Sequence, residues 1–429
     1  MIYMKLPYSL YFHIPFCTHR CTYCDFNTYA GQEDLISVYV EALCREIRSV
    51  ARSAQGRLPV HTLFFGGGTP SLLTHAQFDR ILQTVHDNFE LCHSDPSFSS
   101  GTFGSSGVFG SSGTSETSLE ANPGTVTLDS LKGYHQVGFN RISLGVQSFH
   151  TGELRQLERI HNPFDVLDAV RWARKAGFEN INLDLIYGLP EQSLSNWRAS
   201  LRHAVELGPE HLSLYSLTIE PGTIFDRWTA RGLLPMPDPD LAADMYESAT
   251  DYLEGQGYEQ YEISNWSKPG FQCRHNLQYW LNQPYLGFGA GAHGCANGLR
   301  IANILHIKSY LKRLSLDTPI SDTLFPISPA TVSKAVLTPR IEMQETMLVG
   351  LRLNRAGVSP DAFYNRFGRN LMDVFAREIE ALITLGLLEY ASIVDPSRIE
   401  RGEGVREILR LTRRGRLLGN QVFMHFVGD

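Results

Sequence analysis

Short apolar runs alternate with helical patterns along the first part of the chain. The runs are rich in β-branched and aromatic residues, as expected of strands buried on both faces of a parallel sheet. They cover Ser9–Pro15, Thr62–Phe65, Ser118–Ala121, Arg141–Val146, Asn180–Ile186 and His211–Leu217. Apolar residues at helical spacing predict helices near Asp34–Ala54, His75–Phe89, Leu128–Val137, Phe164–Ala176, Ser195–Leu207 and Asp240–Gln256.

This alternation predicts an α/β fold. Repeated strand-then-helix units imply a parallel sheet with right-handed crossovers. Six units are too few to close the eightfold barrel. We therefore expect a partial (β/α)6 barrel, with a doubly wound open sheet as the alternative.

The pattern changes near Pro326 and becomes mostly helical. Helices are predicted at Arg340–Leu351, Ser359–Phe367 and Leu371–Leu385, and two β-like segments around a polar turn follow. This order predicts a smaller C-terminal helical, winged-helix-like domain. We divide the chain into residues 1–300 and 301–429 and expect a packing or lid role for the second part.

A Ser/Gly-rich segment interrupts the first part at about residues 94–118. It contains the near-repeats SSGTFG and SSGVFG and has almost no charge, so it cannot bury a core. We expect a flexible surface insertion. Its three phenylalanines, Phe98, Phe103 and Phe109, leave a docking role as the alternative.

Charge and targeting signals restrict the function further. The chain has 429 residues and a net charge of -7, which gives no support for nucleic-acid binding. No signal peptide or membrane-spanning apolar stretch is evident, so we expect a cytoplasmic protein. Seven cysteines, an odd number in a large chain, argue against a disulfide framework.

Three of these cysteines, Cys17, Cys21 and Cys24, follow the first strand with the spacing C-x3-C-x2-C. Three thiolates on one loop can hold a [4Fe-4S] cluster and leave one iron free to bind another molecule. Zinc with His13 or His19 as a fourth ligand is an alternative. A thioredoxin-like pair is a second alternative, but it leaves Cys17 unexplained.

The cysteine spacing, with Tyr23 before the third cysteine, resembles the signature of the radical S-adenosylmethionine superfamily. The segment HIPFC…CTYCDF resembles the coproporphyrinogen III dehydrogenase/HemW group within it. Four further matches lie at successive strand ends between about Leu6 and Arg300. They are Gly66-Gly67-Gly68-Thr69-Pro70, Glu120-Ala-Asn-Pro, Gly145-Val-Gln147 with Arg159 beyond it, and Asp184-Leu-Ile-Tyr-Gly.

The resemblance implies a radical S-adenosylmethionine core over residues 1–300. Its cofactors would be a [4Fe-4S] cluster, with Cys17, Cys21 and Cys24 as ligands, and S-adenosylmethionine, which the reduced cluster cleaves to methionine and a 5′-deoxyadenosyl radical. Arg159 would pair with the carboxylate of S-adenosylmethionine, and Glu120 and Asp184 would accept hydrogen bonds. The other implied contacts are Tyr11, Tyr23, Gly67, Gly68, Thr69 and Gln147.

Two features favour the HemW-type haem-chaperone subgroup. The dehydrogenase pattern has a fourth cysteine two residues after the third, and this chain has Phe26 there. The segment His275-Asn276-Leu-Gln-Tyr279-Trp280 resembles the HNxxYW motif of that subgroup. His275 is therefore the candidate axial haem ligand, with local backbone binding as its alternative role.

Two functions stay open at this point. The first is a haem chaperone that delivers haem to an acceptor protein, which can be membrane-associated. The second is an oxygen-independent coproporphyrinogen III dehydrogenase. Both would take electrons from a donor such as flavodoxin or ferredoxin.

Overall fold

The computed structural model describes residues 6–92, 115–315, 324–394 and 405–428. Most of the predicted insertion at 94–118, including its three phenylalanines, lies outside these residues. The last predicted insertion residues, from Glu116 to Ser118, instead begin a strand.

One large sheet dominates the structure, and all six predicted strands belong to it. They pair in parallel in chain order, and each predicted strand agrees with the observed one to within a few residues. A seventh parallel strand pairs with the outer side of the first, where Ser9 lies opposite Tyr285. These strands are β1 (Tyr8–Ile14), β2 (Pro59–Gly67), β3 (Glu116–Ala121), β4 (Arg141–Gln147), β5 (Asn180–Tyr187), β6 (His211–Ser216) and β9 (Tyr285–Phe288).

Antiparallel strands extend the sheet at both ends. These are β7 (Glu259–Glu262) and β8 (Asn265–Ser267) beyond β6, and β10 (His293–Ala296), β11 (Leu299–Asn303) and β12 (Thr331–Val336) beyond β9. The strand order is β7-β8-β6-β5-β4-β3-β2-β1-β9-β10-β11-β12. Within the described residues the end strands do not pair, so the partial barrel is confirmed as an open one.

The sequence did not predict the strands after Tyr285, and β12 lies where a helical pattern was expected. The expected division at residue 300 falls inside β11. How the chain divides into domains stays a prediction.

Helices cover the sheet because one face of each is apolar. The N-terminus of α2 carries a capping box between Thr74 and Gln77, and α5 ends at Gly177, whose positive φ of 105° suits a C-cap. The helices up to the last strand of the sheet are α1 (Ile36–Ser53), α2 (His75–Asn88), α3 (Leu128–Gln136), α4 (Thr151–Gln156), α5 (Pro163–Ala176), α6 (Leu194–Glu206), α7 (Ile224–Ala230), α8 (Pro239–Gly255), α9 (Arg274–Trp280) and α10 (Ile307–Arg313).

Glu46 on α1 fastens the β9–β12 extension to the rest of the sheet. Its buried carboxylate accepts hydrogen bonds from the Gly289 backbone N–H (2.8 Å), Tyr310 Oη (2.7 Å), Asn303 Nδ2 (2.7 Å) and Ser328 Oγ (2.7 Å). Burial raises the pKa of this carboxyl group, and the four hydrogen bonds oppose that rise. One side chain of α1 therefore orders four later segments.

The C-terminal part has its own apolar core, in which Met347, Phe375 and Leu409 are buried. Helices followed by a hairpin confirm the expected winged-helix-like order. Arg413 at the start of the helix that follows the hairpin binds Asp251 on α8 (2.8 Å). The elements are α11 (Pro339–Gly350), α12 (Pro360–Phe367), α13 (Leu371–Thr384), β13 (Leu388–Val394), β14 (Val405–Leu411), α14 (Arg413–Leu417) and α15 (Gly419–Met424).

Among the helices in the described ranges, none is both long and apolar enough to cross a lipid bilayer.

Candidate functional site

The three cysteines lie on the loop that leaves the carboxyl end of β1, which we call the cysteine loop. Cys17 is buried, whereas Cys21 and Cys24 are half-buried. The loop packs against the end of β2, because Gly68 N–H donates to Ile14 O (2.9 Å) and Thr69 N–H donates to Phe16 O (2.7 Å). All three cysteines line one cavity of about 370 Å³, which we call the cysteine cavity.

A chain of polar contacts joins two of the cysteines. The Arg159 guanidinium approaches Cys21 Sγ (3.5 Å) and donates to the Asn122 side chain. Asn122 Nδ2 donates to Thr69 Oγ1 (3.1 Å), which in turn lies 3.6 Å from Cys17 Sγ. Asn122 was not predicted as a site residue, although it belongs to the Glu120-Ala-Asn-Pro motif that follows β3.

The two predicted carboxylates both line the cysteine cavity. Glu120 accepts a hydrogen bond from Gly67 N–H (3.1 Å). Burial and the nearby Asp184 charge raise the pKa of Glu120 from 4.5 to about 7. Asp184 accepts from Ser143 Oγ (2.8 Å) and Asn182 Nδ2 (2.8 Å), and burial still raises its pKa. The cavity therefore holds two acceptor groups whose charge depends on what binds beside them.

Gln147 ends β4 with a φ of 66°, in the left-handed region that a non-glycine residue rarely adopts. The β4–β5 register shifts at the same point. Such strain costs on the order of 1–3 kcal/mol and tends to occur at functional sites. The strained turn carries Gln147 to the wall of the cysteine cavity, and its contact with S-adenosylmethionine stays a prediction.

Packing explains the glycine run at the end of β2. A Cβ on Gly67, whose φ is 110°, would lie 2.5 Å from the His13 ring, and one on Gly68 would lie 2.6 Å from Phe16 O. These glycines let β2 and the cysteine loop approach each other closely. Contact between Gly67, Gly68 or Thr69 and a ligand stays a prediction, although all three line the cavity.

The two predicted tyrosines lie apart. Tyr23 lines the cysteine cavity, and burial raises its pKa although Arg159 opposes the rise. Tyr11 does not line that cavity. Its hydroxyl bonds His13 Nδ1 (3.0 Å), and burial raises its pKa. Tyr11 instead lines two neighbouring cavities.

His275 is also outside the cysteine cavity. It lines a small inner cavity of about 150 Å³ that shares Glu120 and Asp184 with the cysteine cavity. Its ring is buried, and both nitrogens have partners: Nδ1 bonds Thr62 Oγ1 (2.8 Å) and Nε2 bonds Tyr279 Oη (2.8 Å). An axial ligand needs a free imidazole nitrogen, so haem ligation by His275 requires one of these bonds to break.

The donor set of the cysteine cavity fits an iron–sulfur cluster and a zwitterionic ligand. Three thiols line it, and Arg159 supplies positive charge beside one of them. Burial raises the pKa of the Cys17 and Cys24 thiols, so binding of iron there would release protons. Across the described ranges, no three His, Cys, Asp or Glu side chains surround a single metal-ion position. In an iron–sulfur cluster each thiolate binds a different iron, so the three thiols need not surround a single metal-ion position.

Proteins of similar sequence are known. The Radical SAM superfamily profile matches residues 11–204, and that of the HemN C-terminal domain matches residues 337–391. Heme chaperone HemW of Bacillus subtilis is 36% identical over 98% of this chain and 99% of its own length. Heme chaperone HemW of Escherichia coli is 42% identical over 67% of this chain and 70% of its own length.

A solved structure shares the fold. Coproporphyrinogen III oxidase (HemN) of Escherichia coli superposes with a TM-score of 0.76 at 24% identity, covering 99% of this chain and 91% of that one.

Proposed function

Since the chain belongs to the heme chaperone HemW family of the radical SAM superfamily, we propose that it binds haem and delivers it to an acceptor protein. A [4Fe-4S] cluster and S-adenosylmethionine accompany this role. The observation that carries the proposal is the residue two positions after the third cysteine. Phe26 stands there with 62% of its surface exposed, at the boundary between the cysteine cavity and a larger neighbouring cavity.

Phe26 separates the two functions because of its chemistry. The dehydrogenase pattern places a thiol at this position, and a phenyl ring can neither bind iron nor carry a proton. An exposed aromatic ring can contact a flat apolar ligand such as a porphyrin. The likeness to coproporphyrinogen III oxidase is at the level of the fold and does not restore the missing thiol.

Cys17, Cys21 and Cys24 would hold the cluster. When bound and reduced, the cluster supplies one electron to the sulfonium of S-adenosylmethionine. Arg159 lies next to Cys21 and orients Asn122, so it holds positive charge at the mouth of the cluster site. A guanidinium also fits the methionine carboxylate through its paired N–H groups.

The remaining cavity residues would bind the other parts of S-adenosylmethionine. Glu120 and Asp184 accept hydrogen bonds from the amino group and the ribose, and the Gln147 amide offers both a donor and an acceptor. Tyr23 covers the cavity from the cysteine loop and packs on the apolar cluster that contains Leu157 and Ile186. Together these residues would position the ligand and exclude water.

The first experiment compares the two functions directly. Reconstituted protein is incubated without oxygen with S-adenosylmethionine, a reductant and coproporphyrinogen III, and the porphyrins are separated by chromatography. We expect no protoporphyrinogen. In parallel, haem is titrated into the protein, and its transfer to a haem-free b-type cytochrome is followed by absorbance. Formation of protoporphyrinogen, or failure to bind haem, would refute the proposal.

The cluster assignment has a matched control. Cys17→Ser, Cys21→Ser and Cys24→Ser should each abolish the cluster absorption after reconstitution. Cys273→Ser should retain it, because Cys273 is buried elsewhere and bonds Glu116. A triple cysteine variant that kept the cluster spectrum would show that another site binds it.

Several finer points belong to the same proposal. The acceptor is a haem protein that can be membrane-associated, and the electron donor is a flavodoxin or ferredoxin. We place the protein in the cytoplasm and propose no nucleic-acid partner. Fractionation and co-purification with haem-loaded protein test these points.

A further inference from the structure

A second and larger cavity lies on the other side of the cysteine loop. Its volume is about 880 Å³, within the range of cofactor-sized pockets. Its walls come from the cysteine loop, the β9–β10 turn, the end of α9 and the start of the C-terminal part. We call it the aromatic cavity, because Phe26, Tyr29, Tyr279, Trp280 and Tyr285 line it.

The cavity suits a flat apolar ligand. Its aromatic side chains, which include Tyr11 of β1, come from four separate segments, and Leu348 and Val349 on α11 add aliphatic surface. Tyr279 and Tyr285 pack edge-to-face with ring centroids 4.7 Å apart. Such walls can contact both faces of a macrocycle.

Two histidines line this cavity, and they differ in how their ring nitrogens are engaged by the described residues. His13 uses Nδ1 for Tyr11 Oη and Nε2 for Asn27 O (2.9 Å). His293, at the start of β10, is exposed, and its ring bonds no partner in the part of the chain that the structure describes. A neutral imidazole with a free nitrogen is the protein ligand that haem iron takes most readily.

The fold holds His293 in place. A Cβ on Gly287 would lie 1.9 Å from His293 O. The backbone of β10 therefore lies so close to β9 that only glycine fits at position 287. Gly294 and Cys295, the residues after His293, pair with β11. The imidazole therefore projects from a fixed strand, as a metal ligand requires.

A cationic group for the propionates is also present. Arg300 is already paired with Glu345 (2.9 Å). Arg20 donates through Nη2 to the carbonyls of Cys24 and Phe26, and its Nη1 has no partner among the described residues. A guanidinium with free donors is suited to a carboxylate.

We propose that haem binds in the aromatic cavity with His293 as an axial iron ligand. This inference rests on the proposed haem-chaperone function and makes it more specific. His275, whose two nitrogens are engaged, supports the cavity wall through its bond to Tyr279. The cysteine loop separates the haem from S-adenosylmethionine, because Arg20, Phe26 and Thr28 line both cavities.

The test uses the full chain with its cluster and two ligands, haem and iron-free protoporphyrin. In His293→Ala, haem affinity should fall by about tenfold or more, equivalent to the loss of one bond worth at least about 1.4 kcal/mol. The Soret spectrum should lose its histidine-ligated form, and added imidazole should restore it. Protoporphyrin binding, followed by fluorescence, should not change. His86→Ala, an exposed histidine on α2, should behave like the unmodified chain.

A second variant tests the cavity independently of the iron bond. Val349→Trp places a large ring among the lining residues and should weaken haem and protoporphyrin binding alike. Circular dichroism and cluster content show whether the variant is folded.

The outcomes distinguish haem ligation by His293 from the proposed haem-chaperone function. If the unmodified chain binds no haem, both fall. If it binds haem and His293→Ala has the same midpoint and spectrum, the haem-chaperone function stands and His293 is not the ligand. If Val349→Trp is folded and binds both porphyrins normally, the haem lies elsewhere.

Discussion

The substitution Glu120→Gln tests two things, the pH dependence of stability and the proposed binding of S-adenosylmethionine by Glu120. Burial and the charge of Asp184 raise the pKa of this carboxyl group from 4.5 to about 7. Glutamine keeps an oxygen that can accept the Gly67 N–H bond, and it cannot ionise. The variant therefore removes the charge with little change of shape.

The direction of the pH effect on stability follows from the raised pKa of Glu120. A raised pKa in the folded state means that the stabilising contribution of protonated Glu120 is complete below pH 4.5 and is lost as the pH rises through 7. At pH 8 the ionised group costs up to about 3 kcal/mol, taking 1.36 kcal/mol per pKa unit. Glu120 keeps part of its surface open to the cavity, so this figure is an upper limit.

The measurement is urea unfolding of both proteins without ligand at pH 5.5 and pH 8. Glu120→Gln should be the more stable protein at pH 8, and its advantage should grow by about 2 kcal/mol between the two pH values. A constant or shrinking difference would refute the assigned shift.

The same two proteins are used to test the binding of S-adenosylmethionine. If the ionised carboxylate receives the amino group of S-adenosylmethionine, affinity should rise about tenfold from pH 6 to pH 8 in the unmodified chain. The ligand titrates too, so the comparison is between the slopes of the two proteins. Equal slopes would remove Glu120 from the binding site and leave the stability result intact.

Three further predictions concern the scaffold. Glu46→Ala leaves four donors without their acceptor and should lower the free energy of unfolding by at least about 3 kcal/mol. The control is Glu41→Ala on the same helix, which removes an exposed ion pair with Arg80 and should cost about 1 kcal/mol or less. Equal losses in denaturant titrations would contradict this prediction. Gly68→Ala should reduce the iron and sulfide bound after reconstitution, and Gly255→Ala, with open space around it, should not. Asn122→Ala should lower the melting temperature and cluster retention together by breaking the polar chain; an unchanged cluster lifetime in air would show that the chain is dispensable.

The central sheet is predictable from sequence because its strands are continuous apolar runs. Leu119, Ile142, Leu183 and Leu212 are all buried in adjacent strands, and no other element type accounts for such short apolar segments between helices. The cysteine spacing predicts the position of the site for a similar reason, since the loop after β1 and the ends of β2 to β5 meet at one edge.

The strands after Tyr285 are harder to predict. Tyr285–Phe288 and His293–Ala296 are four residues each and contain glycine, so they are too short and irregular to be recognised as strands from sequence. Asn122 escapes prediction because its role depends on Arg159, which is distant in sequence. The two hydrogen bonds of the His275 ring could not be predicted either, because Thr62 is distant in sequence.

The position of β9 beside β1 brings late segments of the chain next to the cysteine loop, and this has a consequence for biosynthesis. The cysteine loop is encoded near the start of the chain, but Asn27 Nδ2 anchors it to Ala290 O and Leu305 O, both at 3.0 Å. At about 5–20 residues per second, the ribosome needs on the order of 15–60 s to deliver those partners after the cysteines emerge. During that interval the thiols are outside their final enclosure. The nascent chain therefore exposes these three cysteines for most of its own synthesis, and we expect the proposed cluster to enter the finished site late.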